Sequence, residues 1–206
     1  MSAHQKAELA RQICARRAVQ STRVRWPVCY LLRMPEKVEG KEIVFSDILE
    51  VRLADGSRVR DCFALHKQTR AILGMAFDYH MRAHLVTNTI QSMTFEAPEC
   101  IWHSDQGKQF GAEQTRRLLL QKGFVLSMSR AGTPTDNGYA ERFVGTFKRA
   151  VADCYRYHSL SAFLQTAQTW INFYNQHRPH EGLGNLSPQQ FAQQQALEII
   201  PSLTFV

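Results

Sequence analysis

No apolar run in this sequence approaches the roughly 18 residues that a membrane-spanning helix needs. The first twenty residues are polar and basic, without the apolar stretch of a secretion signal. Paired cysteines are missing too. Cys14, Cys29, Cys62, Cys100 and Cys154 are odd in number, scattered and never spaced as C-x-x-C, which argues against a zinc cage or a disulfide framework and fits a reducing cytoplasm. Acidic residues are in deficit, 18 against 25 Lys plus Arg, for a net charge of +7. That balance favours a polyanionic partner, because phosphate contacts release condensed counterions. With 206 residues, 44% of them hydrophobic and 21% charged, the chain suits one main soluble domain with short appendages.

Three stretches follow from the composition. Residues 1–42 read as a basic arm and linker, with Lys6, Arg11, Arg16, Arg17, Arg23 and Arg25 spread along it; a solvated flank and a DNA-contacting arm are equally compatible with that pattern. Residues 43–195 carry the periodic structure, and 196–206 form a tail. From Ile43 the runs IVFSDILEVRL and VRDCFAL flank Asp55-Gly56, a hairpin signal. His66 to Arg70 makes a second turn into AILGMAF, completing a three-stranded meander. A helix is expected from Arg82 to Phe95 on the stripe Leu85, Ile90, Met93. A strand follows at Glu99 to His103, then a helix over about Ala112–Lys122 closed by Gly123, and a strand at Phe124 to Met128. After a loop through Gly132 and Pro134, a helix runs roughly from Gly138 to Tyr157, capped by Thr135 or Asp136. One more helix carries Leu160, Phe163, Leu164, Ala167, Trp170, Ile171 and Tyr174 at three- and four-residue spacing. This order predicts an α/β fold with a mixed five-stranded sheet flanked by helices.

Three acids stand where such a layout can gather them. Asp47 lies midway along the first strand, Asp105 just past the fourth, and Glu141 in the first turns of the helix after the loop. Each alone is more often a strand-end or capping residue. Together, three converging carboxylates repel one another unless cations neutralise them, and hard oxygen ligands suit magnesium. Two such ions can activate the attacking oxygen and stabilise the leaving oxygen of a phosphodiester displacement.

The stretches WHSDQGKQF (Trp102 to Phe110), SMSRAGTPTDNGYAERFVGTFK (Ser127 to Lys148) and WINFYNQHRPHEGLGNLSPQQF (Trp170 to Phe191) closely resemble the catalytic core of bacterial insertion-sequence DDE transposases, relatives of retroviral integrases. The resemblance is dense from Ile101 to Phe191 and looser from Phe45 to Leu85. It implies a ribonuclease H-like fold and metal-dependent DNA cleavage and strand transfer, with Mg2+, or Mn2+ as substitute, held by Asp47, Asp105 and Glu141. In that family 35 residues separate the second and third acids, and 35 separate Asp105 from Glu141 here. The first acid normally lies in Trp-x-x-Asp-Ile-Thr. This chain has Val44-Phe45-Ser46-Asp47-Ile48-Leu49, so Trp and Thr are absent, and Asp55 and Asp61 are its rivals. Where the family shows an Asp three residues ahead of Ser-Arg, this chain has His66.

Lys148, seven residues after Glu141, returns to the same helix face within roughly 20° and could touch DNA phosphate, as the resemblance also implies. Arg142 and Arg149 form a second pair seven apart, suited either to backbone phosphates or to a solvated face. Arg130 in the loop is a further DNA-contact candidate. Phe143, Val144, Phe147 and Val151 read as core, and His177 to His180 as a structural turn rather than a metal cluster. The expected partners are transposon ends and target DNA, with the chain acting as a homo-oligomer in the bacterial cytoplasm. The helix-turn-helix region usual upstream in this family is not expected within so short an N-terminal stretch. A decayed transposase that only binds DNA is the alternative, and a simple nuclease of the same fold a third reading.

Overall fold

The computed structural model describes residues 30–93, 99–153 and 156–197. The expected basic arm therefore lies almost wholly outside the described residues, as does nearly all of the C-terminal tail. Ahead of the sheet, a 3-10 turn at Leu31–Arg33 and a short helix α1 (Pro35–Val38) occupy part of the expected linker. The meander forms as its alternation predicts: β1 (Ile43–Arg52), β2 (Arg58–His66) and β3 (Ile72–Asp78) pair antiparallel in succession. Then come α2 (Ala83–Ser92), β4 (Ile101–Ser104), α3 (Glu113–Gln121) and β5 (Val125–Met128). Beyond β5 lie a 3-10 turn (Pro134–Asn137), α4 (Gly138–Phe147), a π-helical turn (Lys148–Ala152), α5 (Leu160–Gln176), a 3-10 turn (Glu181–Leu183) and α6 (Pro188–Gln194).

Among the described residues the five strands make one sheet in the order β3-β2-β1-β4-β5, with β1, β4 and β5 parallel. Successive side chains of a strand point to opposite faces, so β1 serves two cores. Ile43, Phe45, Leu49 and Val51 pack with Ala140, Phe143, Phe147, Phe163 and Ile171 of α4 and α5. Val44, on the other face, joins Leu85, Val86 and Ile90 of α2, Leu119 of α3, and Trp102 and Phe124. The result is a three-layer α/β fold. Among the described residues no helix is long and apolar enough to cross a membrane.

Backbone approach is tightest between β3 and α2. A Cβ added at Gly74 would lie 2.5 Å from Met93 Cγ and 2.6 Å from the Thr89 carbonyl oxygen. Gly74→Ala is therefore expected to lower stability by about 1–3 kcal/mol through overpacking, read as a lower urea midpoint with an unchanged slope. An unchanged midpoint would mean that α2 shifts freely on the sheet.

Four local expectations need correction. The helix placed over Gly138 to Tyr157 is regular only to Phe147, then widens into the π turn, and Tyr157 instead caps the turn by donating from its hydroxyl to the Val151 carbonyl. Neither Thr135 nor Asp136 caps α4. Asn137 is the N-cap residue, without a side-chain cap bond, because Asp136 is taken up by Arg130. Helix α2 ends at Ser92, short of the expected Phe95, which lies outside the described residues. Helix α6 was not expected, although Ser187-Pro188-Gln189-Gln190 holds its signal: the Ser187 hydroxyl accepts from the Gln190 N–H, and the Gln190 side chain accepts from the Ser187 N–H.

Candidate active site

Ile43, Val44 and Phe45 of β1 pair with Ile101, Trp102 and His103 of β4; Asp47 and Asp105 each lie two residues beyond the last of these pairs, and Asp105 acts electrostatically on the Asp47 carboxyl. Asp47 shares the face of Ile43, Phe45 and Leu49, the face that α4 covers. Tyr139 of α4 stacks on Phe45 at 5.1 Å between ring centroids. The buried Asn137 donates from its side-chain amide to the Ser46 carbonyl at 3.2 Å, tying the start of α4 to β1 one residue from Asp47. Sequence reading passed over Asn137; the run Asp-Asn-Gly ahead of a helix is the only hint it offered. Asp105 and Glu141 are exposed, and Asp47 is half-buried.

The electrostatics record this convergence. The Asp47 carboxyl is pushed up to about 6, first by burial and then by the negative charges of Asp105 and Glu141; the Ile48 N–H and the charge of Lys148 oppose the rise. The rival acids behave differently. Asp55 is an exposed turn residue whose Oδ1 accepts from the backbone and hydroxyl of Ser57. Asp61 is fully buried on β2, with both carboxyl oxygens lacking a partner among the described residues.

As the side chains stand, no three His, Cys, Asp or Glu residues among those described make a metal-binding group. Asp47 Oδ1 accepts from the Ile48 N–H at 2.7 Å and Asp105 Oδ1 from the Gly107 N–H at 2.9 Å. Both carboxylates are thus engaged by nearby backbone donors, and a cation held here would have to draw them off. A Cβ at Gly107 would lie 2.9 Å from Asp105 Oδ1, so glycine there lets the backbone approach the acid. The donor chemistry fits a hard divalent ion: three carboxylates, two of them exposed, and a raised Asp47 whose ionisation a cation would favour.

Around the acids, β4 and β5 are braced by the buried His103, whose Nδ1 lies 2.9 Å from Ser127 Oγ and Nε2 3.1 Å from Ser129 Oγ. Burial holds its ring down to about 4, so it is neutral at physiological pH. The loop after β5 is closed by Arg130, which donates through Nε and Nη2 to both Asp136 oxygens at 2.9 Å, with its guanidinium 5.5 Å from the Tyr30 ring centroid. Asp136 is held well below the usual carboxylate range by this pair. Arg130 is thus held in the loop, while Arg142 and Arg149 are exposed on the helical segment after Glu141. Lys148, half-buried, is close enough to act on Asp47. His66, standing where an Asp was expected, is buried with Nε2 2.5 Å from Glu42 and Nδ1 2.9 Å from Thr69 Oγ1, and braces the β2–β3 turn.

Two family models, both described as integrase core domain, match residues 39–134 and 122–188. The chain is 39% identical over 92 residues to the insertion element IS600 uncharacterized 31 kDa protein of Shigella sonnei, covering 44% of this chain and 34% of that protein. It is 33% identical over 127 residues to the transposase for insertion sequence element IS904 of Lactococcus lactis subsp. lactis, covering 60% and 50%. The chain spans about half or less of the length of these curated relatives. Among solved structures, the HTLV-2 integrase catalytic core domain in complex with magnesium superposes with a TM-score of 0.57 at 12% identity, covering 72% of this chain and 94% of that one. That likeness establishes the fold, the ribonuclease H-like fold of integrase catalytic cores.

Proposed function

This chain belongs to the integrase core domain family, and from that premise we propose that it is the catalytic core of a DNA transposase whose acids are Asp47, Asp105 and Glu141. The observation that supports the reading is electrostatic: the Asp47 carboxyl is raised in part by both Asp105 and Glu141, and Asp47 and Asp105 each follow the last β1–β4 pair by two residues. A divalent cation, Mg2+ or in its place Mn2+, would be held by these three side chains and would supply Lewis-acid activation of the attacking and leaving oxygens.

The chain's own residues do the rest. Asp105 and Glu141 are exposed, so a phosphodiester reaches them without opening the core, while Asp47 forms the floor. Lys148 presents a cation to the phosphate and positions it. Arg142 and Arg149, on the same helical segment, take flanking backbone phosphates, and Arg130 does so when it leaves Asp136. In the first step a water oxygen attacks phosphorus at the element's end and the P–O3′ bond breaks, leaving a 3′ hydroxyl on one fragment and a 5′ phosphate on the other. In the second, that 3′ oxygen attacks a target phosphorus and a target 3′ oxygen leaves, so one phosphodiester forms as one breaks. Transposon ends and target DNA are the substrates, in the bacterial cytoplasm. A homo-oligomer with an upstream recognition region completes the assembly.

A branched duplex that already carries the joined product tests this without end recognition, because the reverse reaction uses the same acids on a preassembled substrate. The folded chain is expected to resolve it with magnesium or manganese and to stop when EDTA is added; no resolution with either metal overturns the reading. In the same assay Lys148→Ala should slow turnover about ten-fold, the loss of one charge-assisted phosphate contact. Lys148→Arg should keep part of the rate. An alanine variant with the normal rate returns Lys148 to the solvated surface.

A further inference from the structure

Two cations of the β2–β3 turn and a third more than a hundred residues downstream meet beside the first turn of α4. Arg70 stands with its guanidinium carbon 4.3 Å from the centroid of Tyr139, and Lys67 Nζ is 6.0 Å from the same ring. Arg178, from the turn after α5, lies 5.7 Å from the Tyr174 ring and donates toward His180 at 3.3 Å. Arg70 and Arg178 both act electrostatically on Tyr174 and on His180, so the two guanidiniums share one locality. A Cβ on Gly182 would lie 3.9 Å from Arg70 Nη2, which places that guanidinium against the Glu181–Leu183 turn. Among the described residues none of the three makes an ion pair with a carboxylate, although the exposed Glu181 sits in that same turn.

Unbalanced positive charge of this kind costs free energy through mutual repulsion, and here the backbone adds to it. Arg70 has φ 63°, a left-handed conformation that costs a residue with a Cβ about 1–2 kcal/mol. Strain held at a charged residue on a rigid turn is a mark of ligand clamps. Stacking on tyrosine fixes the plane of the guanidinium; Nη1 of Arg70 donates to the Lys67 carbonyl and Nη1 of Arg178 to the Pro179 carbonyl, which leaves the remaining N–H groups of each to meet an anion. Tyr139, under Arg70 and Lys67, is two residues before Glu141 and stacks on Phe45, two residues before Asp47. Lys148 follows the other end of α4, which at 1.5 Å per residue is about 15 Å long. The acids therefore lie between two cationic positions, one at each end of this helix.

We propose that Lys67, Arg70 and Arg178 form a second phosphate-binding site, which holds the DNA backbone on the side of the acids opposite Lys148. The inference rests on the DNA reading above and adds to it the path of the strand: across the β2–β3 turn and the Glu181–Leu183 turn, along α4, and out past Lys148. Neither guanidinium takes part in bond making, so both are positioning residues.

The test is the salt dependence of duplex binding by the full chain, followed by fluorescence anisotropy. Each lost phosphate contact should flatten the slope of log K against log salt by about 0.9. Arg70→Gln/Arg178→Gln should therefore flatten it by about 1.8, and Lys67→Gln by about 0.9. Arg70→Lys/Arg178→Lys should keep most of the slope. Arg117→Gln, which removes a cation from the exposed face of α3, should leave it unchanged. A wild-type slope in both the double Gln variant and Lys67→Gln overturns the inference and leaves the DNA reading standing. An equal loss in Arg117→Gln overturns it as well, since net charge alone would then explain the effect. If the wild-type chain binds no duplex at low salt, the reading falls and this inference with it. Should the double Gln variant melt early, Lys67→Gln and the double Lys variant decide the matter.

Discussion

Asp105→Asn, Glu141→Gln and Asp47→Asn are each expected to lower metal-dependent resolution of branched DNA by at least about 100-fold, since even outer partners of a metal site are worth roughly 10–100-fold. Asp47→Asn carries a second expectation of opposite sign. Its carboxyl is raised to about 6 in the fold against an ordinary value near 4. A raised acid is harder to ionise folded than unfolded, so wild-type stability without metal falls as pH rises from about 4 and is lowest above about 6. Two pKa units correspond to about 3 kcal/mol at most, and partial exposure of the side chain reduces this. Asp47→Asn should therefore be more stable than wild type by on the order of 1–2 kcal/mol at pH 7 without metal, with the difference closing below about pH 4. Lost activity with gained stability separates a functional acid from a structural one. An Asp47→Asn chain that resolves branched DNA at the wild-type rate would remove Asp47 from the site.

Replacing Asp61 should produce the largest gain in stability. Its carboxyl is fully buried on β2 between Val59 and Phe63, facing the core formed with α4 and α5, and neither oxygen has a partner among the described residues. Burial alone drives this acid well above the usual carboxylate range. An unsatisfied buried polar group costs about 1–3 kcal/mol, and a β-branched apolar residue suits the strand. Asp61→Val is expected to gain about 2 kcal/mol at pH 7, or roughly 4–8 °C in Tm for a chain of this size. Because the folded pKa is raised, ionisation opposes folding as pH climbs above about 4, so the advantage of the valine variant should widen from pH 4 to pH 8. Thermal melts across that range measure both effects. A variant that melts below wild type would show that the carboxyl has a partner that the valine destroys.

What the sequence determined by itself was local. Asp-Gly between two β-rich runs produced the β1–β2 hairpin, three- and four-residue spacing placed α5, and Gly123, at φ 84°, ended α3, because these signals act within one turn or one strand pair. The Asp-Gln-Gly and Tyr-Ala-Glu motifs are short runs too, and it is their resemblance to the family's motifs, with its 35-residue gap, that puts Asp105 and Glu141 forward. The choice of Asp47 over Asp55 and Asp61 was different. All three lie in or beside the first hairpin, and the proposal of Asp47 rests on the parallel pairing of β1 with β4, more than fifty residues downstream, and on the charges of Asp105 and Glu141 that act on it. Burial decided the rest. Desolvation is summed over neighbours from distant parts of the chain, so no window of sequence could show that Asp61 is enclosed. Nor could it show Lys67 and Arg70 beside Arg178, since that grouping exists only once the β2–β3 turn and the turn after α5 pack at the same end of α4.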